Sequence, residues 1–280
     1  MSAITILMPL KNHHPPYLEE AMQSVRDQTR SDWRLAVVVD DEDRDALGPC
    51  LRAHLSDPRI VLVVNEGSGL AGAVNSGMRA ATTDFVALLF ADDKLAPTAV
   101  EIVADHVAAF PTVDFFHSSR VIIDDHGAAI SSVHRAPTAV DPSDFRGGSP
   151  VEHLLCWRRE IALAFGGVDE TIGNTGPDDW DFTWTMAERG SEFMAIDEPL
   201  YSYRDHRAAP RLTTHLSRRE HLDNIRKILR KHGVPEREIA RTLADARSSY
   251  LRQSLYRSPA DRRMRQWLRL RPRTHRERYE

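Results

Sequence analysis

The sequence predicts an α/β protein with a mostly parallel central sheet flanked by helices, followed by a helical C-terminal extension. In the first hundred residues, short apolar runs alternate with segments of helical spacing, which is typical of βαβ units. The runs are apolar throughout, as are parallel strands that are buried on both faces. Beyond Ser217 the spacing is helical, with interruptions at Gly233, Pro235 and Pro259.

The predicted elements of the N-terminal region follow one another closely. The strand runs are rich in Val, Ile and Leu, and polar residues begin where each run ends. The helical segments carry apolar residues three and four positions apart, as helices that pack on a sheet do. The predicted strands are 4–10, 35–39, 60–64 and 85–90, and the predicted helices are 17–30, 68–81 and 96–110.

The middle of the chain is less regular. Residues 124–127 are rich in Asp and Gly and predict the turn of a hairpin between strands 115–123 and 129–133. The helix predicted at 179–189 ends at Gly190, because glycine suits the position that follows a helix. The remaining predictions are a helical or mixed segment at 151–165 and late strands at 191–196 and 200–203.

Composition narrows the class of protein. With 280 residues and 41% hydrophobic content, the chain can bury a core, which excludes a disordered protein. Cys50 and Cys156 have no metal-like or redox-like spacing and favour a reducing compartment, so we expect a cytoplasmic protein. No apolar run approaches the roughly 20 residues of a membrane span. The N-terminus lacks a basic region and a cleavage site, which predicts a first strand and not a signal peptide.

Charge is distributed unevenly. From residue 204 onward there are 22 Lys and Arg against 9 Asp and Glu, whereas the body before it is acidic. Eight arginines crowd the last twenty residues, with Trp267, Leu268 and Leu270 among them. This pattern suits a helix on the inner face of an anionic membrane, and equally a solvated helix packed on the body or on the second subunit of a homodimer. No recognition motif supports nucleic-acid binding.

Polar residues follow each of the first four predicted strands. In parallel sheets, ligands bind beyond the carboxyl ends of the strands, so these residues predict a binding site along one edge of the sheet. The alternative is that the Asp residues are helix N-caps. The residues are Lys11 and Asn12, Asp40 and Asp41, Asn65, and Asp92 and Asp93.

Seven sequence blocks carry a resemblance to a known family. They are MPLKN (8–12), VVVDDEDRD (37–45), NEGSGLAGAVNSG (65–77), LLFADD (88–93), GGVDE (166–170), GPDDWDFTWTMAERG (176–190) and YSYRDH (201–206). In this order they resemble family 2 glycosyltransferases, over roughly residues 3–206. The resemblance implies a GT-A fold with a nucleotide-sugar-binding half (1–110) and an acceptor-binding, catalytic half (111–212). Residues 213–280 are the basic helical extension.

The resemblance implies a reaction and a donor site. The expected reaction moves a sugar from a nucleoside-diphosphate sugar, with UDP-sugars preferred, to an acceptor hydroxyl and inverts the anomeric centre. The acceptor is a glycan, a lipid-linked molecule or a small molecule. The segment from Gly69 is expected to close over the nucleotide. The nucleotide-sugar-binding residues implied are Pro9, Leu10, Lys11, Asn12, Asp40, Asn75, Ala91 and Asp92.

The resemblance also implies a metal site and a general base. Mn²⁺ or Mg²⁺ would neutralise the diphosphate leaving group, with Asp92 and His206 as ligands. Asp179 is the expected general base, which removes the proton of the acceptor hydroxyl. Four further residues are expected to support the site: Asp93 beside the metal ligand, Asp178 beside the base, Trp180 as an apolar wall for a sugar ring, and Arg204 as a cap on the diphosphate. For Trp180, a place in the hydrophobic core is an equal alternative.

The chain departs from the family pattern at three positions. Phe90 stands where the metal signature begins with Asp, Val74 replaces a usual Arg, and Lys11 replaces an aromatic residue. A catalytically inactive nucleotide-sugar-binding or scaffold protein is therefore one alternative. A second alternative is a different nucleotide enzyme on a doubly wound sheet, such as a dehydrogenase or a nucleotidyltransferase, because 67–72 loosely resembles a dinucleotide-binding fingerprint. That segment follows the third strand and not the first, which disfavours the second alternative.

Overall fold

The computed structural model describes residues 4–11, 13–172, 178–205 and 217–257, the side chains of 218 and 248–257 excepted. The chain forms two compact units, Met1–Pro210 and Arg211–Glu280. The first unit contains one eight-stranded sheet in the order β3-β2-β1-β4-β7-β6-β8-β5. The strands are β1 Ile4–Leu10, β2 Arg34–Val39, β3 Ile60–Val64, β4 Phe85–Leu88, β5 Lys94–Leu95, β6 Phe115–Ile123, β7 Leu155–Arg158 and β8 Phe193–Arg204.

Strands β1 to β4 form the parallel part of the sheet. β1 pairs in parallel with β2 and β4, and β2 pairs in parallel with β3. Their carboxyl ends therefore lie along one edge of the sheet. The predicted α/β architecture is confirmed. The helices of this unit are α1 Pro15–Arg26, α2 Arg44–Leu51, α3 Gly69–Ala80, α4 Ala99–Ala109, α5 Arg159–Ala164 and α6 Asp178–Glu188.

The parallel strands are covered on both faces, which explains why their sequences are apolar throughout. Ile6 and Met8 of β1 belong to the same core as Met22 of α1 and Val103 of α4. On the opposite face, Leu7 lies beneath α3, where a side chain at Gly77 would contact it at 3.1 Å. A larger residue at that position would have to displace the side chains of Leu7 and Val38 by a few tenths of an ångström, so α3 lies close against the sheet.

The second half of the sheet differs from the prediction at three places. The segment 151–165, expected to be helical or mixed, contains β7, which pairs antiparallel with both β4 and β6, followed by α5. The two late strands are one strand, β8, whose register against β6 shifts on either side of Ser119. This irregularity accommodates Pro199 within the strand. Residues 129–134 return beside β6 through isolated bridges only, as a partial hairpin.

The second unit is described from residue 217 to residue 257. It contains α7 Arg218–Lys231 and α8 Glu236–Arg257. Ser217 and Glu220 form a reciprocal capping box that starts α7, and Gly233 ends it with a φ of 65°. None of the described helices is long and apolar enough to span a membrane. The arginine-rich segment after residue 257 lies outside the described residues.

Candidate active site

The ends of β1, β2 and β3 are joined by one polar cluster. The Lys11 ammonium donates to Oδ2 of Asp40 at 2.5 Å, and Nδ2 of Asn65 donates to Oδ1 of the same carboxylate at 2.7 Å. The hydrogen bond from Lys11, followed by that from Asn65, holds the pKa of Asp40 below its usual value despite partial burial. The structure thus brings together the predicted residues Lys11 and Asp40 as a charged pair, with Lys11 about half exposed.

The start of α3 closes tightly on the loop after β3. A Cβ on Gly72 would lie 2.5 Å from the backbone of Gly67, so only glycine fits there. The N–H of Ser68, just before α3, donates to Oε2 of Glu170 at 2.8 Å. The loop and the helix start are therefore held by a carboxylate from the GGVDE block, a contact that the sequence analysis did not identify.

Asn75 is buried and bonded within the protein. Its Nδ2 donates to the carbonyl of Val168 at 2.9 Å, and the N–H of Val168 donates to its Oδ1 at 2.8 Å. Its Nδ2 also donates to Oε1 of Glu170 at 3.2 Å. This placement argues against the nucleotide contact predicted for Asn75, because the amide joins α3 to the segment after α5.

The turn after β4 carries the two predicted carboxylates, and the structure distinguishes them. Asp93 is buried, and it accepts hydrogen bonds from the Tyr201 hydroxyl and from the N–H of Arg204, both at 2.7 Å. Asp92 is partly exposed at the edge of the sheet. Asp93 therefore ties the turn to β8, whereas Asp92 lies where a ligand at the strand ends could reach it.

Arg204 is fully buried beneath this turn. Its Nε donates to the carbonyl of Asp92 at 2.8 Å, and its guanidinium pairs with Glu20 of α1 at 2.7 Å. It also donates to the carbonyls of Asp124 and Asp125. This placement argues against the diphosphate cap predicted for Arg204, because its donors are bonded to protein acceptors and water or ligand does not reach it.

The predicted base, Asp179, lies in the first turn of α6. Its side chain is partly exposed and accepts a hydrogen bond from the N–H of Trp180 at 2.8 Å. Its neighbour Asp178 is buried, and burial together with the charge of Asp179 raises the pKa of Asp178 to about 7. Of the two, Asp179 is the accessible carboxylate and the one that suits proton removal from an acceptor.

His153 is buried beside the turn after β4. Its ring lies 5.8 Å from that of Phe90 and 5.3 Å from that of Tyr201, measured between centroids. Burial lowers the pKa of His153 to about 4, and the charge of Asp179 opposes this effect. Sequence reasoning assigned His153 no role, because only the fold brings β7, β8 and α6 together here.

The other predicted site residues have varied surroundings. Trp180 is buried, and its Nε1 donates to the carbonyl of Phe145, so it belongs to the core and not to an exposed sugar-binding wall. Leu10 is likewise a core residue, whereas Pro9 and Ala91 are partly exposed at the strand ends. Asn12 and His206 lie outside the described residues.

The metal prediction can be compared with the described acidic residues. Asp92 offers a partly exposed carboxylate, which is a fitting oxygen ligand for Mg²⁺ or Mn²⁺. Among the described ranges, a group with ligand atoms within 4.8 Å of one another consists of Asp40, Glu42 and Asp43. Lys11 neutralises Asp40 within that group, so the arrangement resembles a solvated charge cluster more than a metal centre.

Comparison with family models shows to which protein family this chain belongs. The model described as "Glycosyl transferase family 2" matches residues 5–149, just over half of the chain. The chain belongs to glycosyl transferase family 2. The matched region contains the strand-end cluster, the start of α3 and the turn with Asp92, so the family signature coincides with the edge of the sheet described above.

Curated proteins contain related segments. The O-antigen biosynthesis protein RfbC of Myxococcus xanthus is 30% identical over 208 residues, which cover 74% of this chain and 16% of RfbC. The Escherichia coli UDP-Glc:alpha-D-GlcNAc-diphosphoundecaprenol beta-1,3-glucosyltransferase WfgD is 35% identical over 91 residues, covering 32% of this chain and 35% of WfgD. The family 2 chain therefore spans only a fraction of these relatives' lengths.

Solved structures share the fold. Staphylococcus aureus TarS 1-349 in complex with UDP-GlcNAc aligns with a TM-score of 0.64 and 16% identity over 93% of this chain and 74% of that one. The mannosyltransferase PcManGT from Pyrobaculum calidifontis, in complex with GDP-Man and Mn²⁺, aligns with a TM-score of 0.55 and 19% identity over 91% and 76% of the two chains. These alignments confirm the GT-A fold predicted for the family 2 chain.

Proposed function

We propose that this chain is a glycosyltransferase that moves a sugar from a nucleoside-diphosphate sugar to the hydroxyl group of an acceptor. The observation that carries the proposal is the different exposure of the two carboxylates in the turn after β4. Asp93 is buried and accepts hydrogen bonds from β8, whereas Asp92 is partly exposed at the edge where the four parallel strands end. A carboxylate so presented, in a family 2 chain, fits the diphosphate end of a nucleotide sugar.

In this proposal the nucleoside lies along the ends of β1 to β3. Pro9, Lys11 and Asp40 would line its pocket, and the Lys11–Asp40 pair offers both a hydrogen-bond donor and an acceptor to a base or ribose. Residues 1–110 would form the donor half of the domain and residues 111–212 the acceptor half. Asn12, outside the described residues, keeps its predicted place in the nucleoside pocket.

The diphosphate is the group that most needs charge neutralisation. Asp92 would hold Mn²⁺ or Mg²⁺, with His206 as the second predicted ligand. When bound, such an ion neutralises the charge that develops on the leaving nucleoside diphosphate. The PcManGT neighbour, whose complex contains GDP-Man and Mn²⁺, supports this part of the proposal by analogy.

The acceptor half would supply the base. The partly exposed Asp179 carboxylate would take the proton of the acceptor hydroxyl as its oxygen attacks the anomeric carbon. Attack from the face opposite the leaving group inverts that centre. His153 packs against Phe90 of the turn after β4, with the ring centroids 5.8 Å apart. The acceptor is a glycan, a lipid-linked molecule or a small molecule.

UDP-sugars are the donors that we favour. The TarS neighbour binds UDP-GlcNAc and the name of WfgD specifies UDP-Glc, whereas PcManGT binds GDP-Man. We expect the protein to act in the cytoplasm. Membrane contact and dimer formation through the basic C-terminus stay predictions, because residues 258–280 lie outside the described residues.

The proposed donor site is tested by thermal unfolding with UDP, GDP, dTDP or CDP, each with and without Mn²⁺. A ligand that binds only the folded protein raises its melting temperature. One nucleotide should raise it by several degrees with Mn²⁺, and Asp92→Ala should abolish the metal-dependent part. The matched control is Asp84→Ala, an exposed carboxylate just before the opposite end of β4. Absence of a shift with every nucleotide would refute the donor site.

A nucleotide-sugar-binding protein without transferase activity is the second candidate function. Phe90, in place of the first carboxylate of the metal signature, favours it. The matching nucleotide sugar would then bind with Mn²⁺, but no nucleoside diphosphate would be released in the presence of acceptors or of water. Release that depends on Asp179 would exclude this candidate.

A further inference from the structure

The short turn Phe90–Asp93 presents the carboxylate on which the proposed metal site depends. In this chain Phe90 occupies the first signature position and has no oxygen ligand to offer. Asp93 is buried, with both carboxylate oxygens accepting hydrogen bonds from β8. Of the two carboxylates in this turn, Asp92 is the partly exposed one, and its position depends on the contacts that hold the turn.

Tyr201 of β8 fixes the turn at both ends with a single hydroxyl group. The hydroxyl donates to Oδ2 of Asp93 at 2.7 Å and accepts from the N–H of Phe90 at 3.2 Å. The side chain is completely buried, and burial and the Asp93 carboxylate raise the pKa of Tyr201 well above its usual value, so the hydroxyl stays protonated. One rigid phenol thus bridges the residues on either side of Ala91 and Asp92.

Arg204, three residues further along β8, completes the attachment. Its backbone N–H donates to Oδ1 of Asp93, and its Nε donates to the carbonyl of Asp92. Four hydrogen bonds from two residues of β8 therefore hold a four-residue turn. These bonds, together with the hydrogen bond from the N–H of Asp93 to the carbonyl of Phe90 at 3.1 Å, restrain the backbone that carries Asp92, and the side chains of Tyr201 and Arg204 are both fully buried.

We infer that Tyr201 is a positioning residue for the metal–diphosphate site, which it serves by fixing the turn that carries Asp92. This inference rests on the proposed function, since it takes Asp92 to be a metal ligand. It assigns Tyr201 no contact with metal or nucleotide. Loss of the hydroxyl should remove one hydrogen bond from each end of the turn and loosen it, while leaving the nucleoside pocket at β1 to β3 unchanged.

The test is Tyr201→Phe, which removes one oxygen atom and keeps the ring. Mn²⁺ binding is measured by the loss of the free-ion electron paramagnetic resonance signal, in the presence of the nucleotide that stabilises the wild type. We expect the Kd for Mn²⁺ to rise about 10-fold or more, the scale seen when groups behind a metal ligand are removed. The Kd for the same nucleotide without metal should stay within about twofold, because the nucleoside pocket is unchanged. A merely structural defect would instead weaken the binding of both Mn²⁺ and the nucleotide.

Tyr203→Phe is the matched control on the same strand, because the ring of Tyr203 lies under Arg120 and none of the four hydrogen bonds to the turn described above involves it. Its Mn²⁺ affinity should equal that of the wild type. If Tyr201→Phe does not fold, the second variant is Asp93→Asn, which alters the partner of the Tyr201 hydroxyl. It should also weaken Mn²⁺ binding.

The outcomes distinguish failure of the proposed metal site from failure of the role inferred for Tyr201. A wild-type protein that binds no Mn²⁺ would overturn the proposed metal site, and the inference with it. A wild-type protein that binds Mn²⁺ only through Asp92, together with a folded Tyr201→Phe variant of unchanged Mn²⁺ affinity, would overturn the inference alone. Equal weakening of metal-dependent and metal-free nucleotide binding would also overturn it.

Discussion

The backbone N–H of Arg204 donates a 2.7 Å hydrogen bond to Oδ1 of Asp93, so the end of β8 is tied to the turn that follows β4. The two residues lie 111 positions apart in the sequence. The same arginine reaches Glu20 of α1, so strand, turn and helix meet at one buried guanidinium. The buried Asp93 carboxylate has two hydrogen-bond donors, and the buried Arg204 guanidinium has carbonyl and carboxylate acceptors. Because each bond satisfies a buried polar group, the stability of this region should be sensitive to single-atom changes.

Asp93→Asn should destabilise the fold. An amide retains one acceptor oxygen and turns an NH₂ group toward one of the two donors, Tyr201 or Arg204. We expect a loss of about 1–3 kcal/mol in the free energy of unfolding, measured by urea denaturation, because a buried donor is left unpaired. Asp92→Asn is the neighbouring comparison: it should cost less stability and remove metal-dependent nucleotide binding. The reverse order of stabilities would contradict the assignment of these two carboxylates.

Asp179→Asn should abolish turnover and leave donor binding intact. Loss of a general base typically lowers the rate by about 10²–10⁴-fold. The measurement is nucleoside diphosphate release from the donor whose nucleotide stabilises the protein, together with the melting temperature with that nucleotide and Mn²⁺. Asp178→Asn is the control, because the buried Asp178 should matter less for turnover. Equal activity of Asp179→Asn and wild type would refute the base.

The elements that the sequence predicts best are those with local signals. The strands Ile60–Val64 and Phe115–Ile123 are predicted to the residue, because apolar runs with polar boundaries suffice to define them. β7 was not predicted, since its four residues acquire their strand character by pairing with β4 and β6, both distant in the sequence. The partial hairpin after Gly127 shows the same limit, because its turn is local but its pairing is not.

The candidate site divides in a similar way. Lys11, Asp40 and Asp92 were predicted at the strand ends, because the order of strands and polar residues is visible in one dimension. The role of Tyr201 cannot be predicted from the sequence, since its hydrogen-bond partner Asp93 precedes it by 108 residues. Burial is equally hidden in the sequence: Arg204 is charged and follows an apolar run, yet it is completely buried and bonded to the protein.

Gly167→Ala should weaken the contact between α3 and the GGVDE block. Gly167 has a φ of 71°, and a Cβ there would lie 2.3 Å from Oδ1 of Asn75. Strain and the loss of the Asn75–Val168 hydrogen bonds should together cost about 2–4 kcal/mol in the free energy of unfolding, measured by urea denaturation. Gly147→Ala is the control, because a Cβ at Gly147 meets nothing within 4 Å. A stable Gly167→Ala protein would show that the Asn75 contact is not needed.

His117→Leu should reduce the acid sensitivity of the fold. Burial lowers the pKa of His117 to about 4, and neither ring nitrogen has a hydrogen-bond partner among the described residues. The unfolded chain therefore binds the proton first, so the contribution of neutral His117 is complete above pH 6.5 or so and is lost as the pH falls toward 4. Over that range the wild type should lose up to about 3 kcal/mol that the variant keeps.

This prediction is measured by urea unfolding at several pH values between about 7.5 and 4.5. His153, whose pKa is also lowered, is present in both proteins and cancels in the comparison. His126→Leu, at an exposed position in the 124–127 turn, is the control and should follow the wild-type pH dependence. Parallel curves for His117→Leu and wild type would mean that His117 accepts its proton in the folded protein as readily as in the unfolded chain, and hence that water reaches the ring.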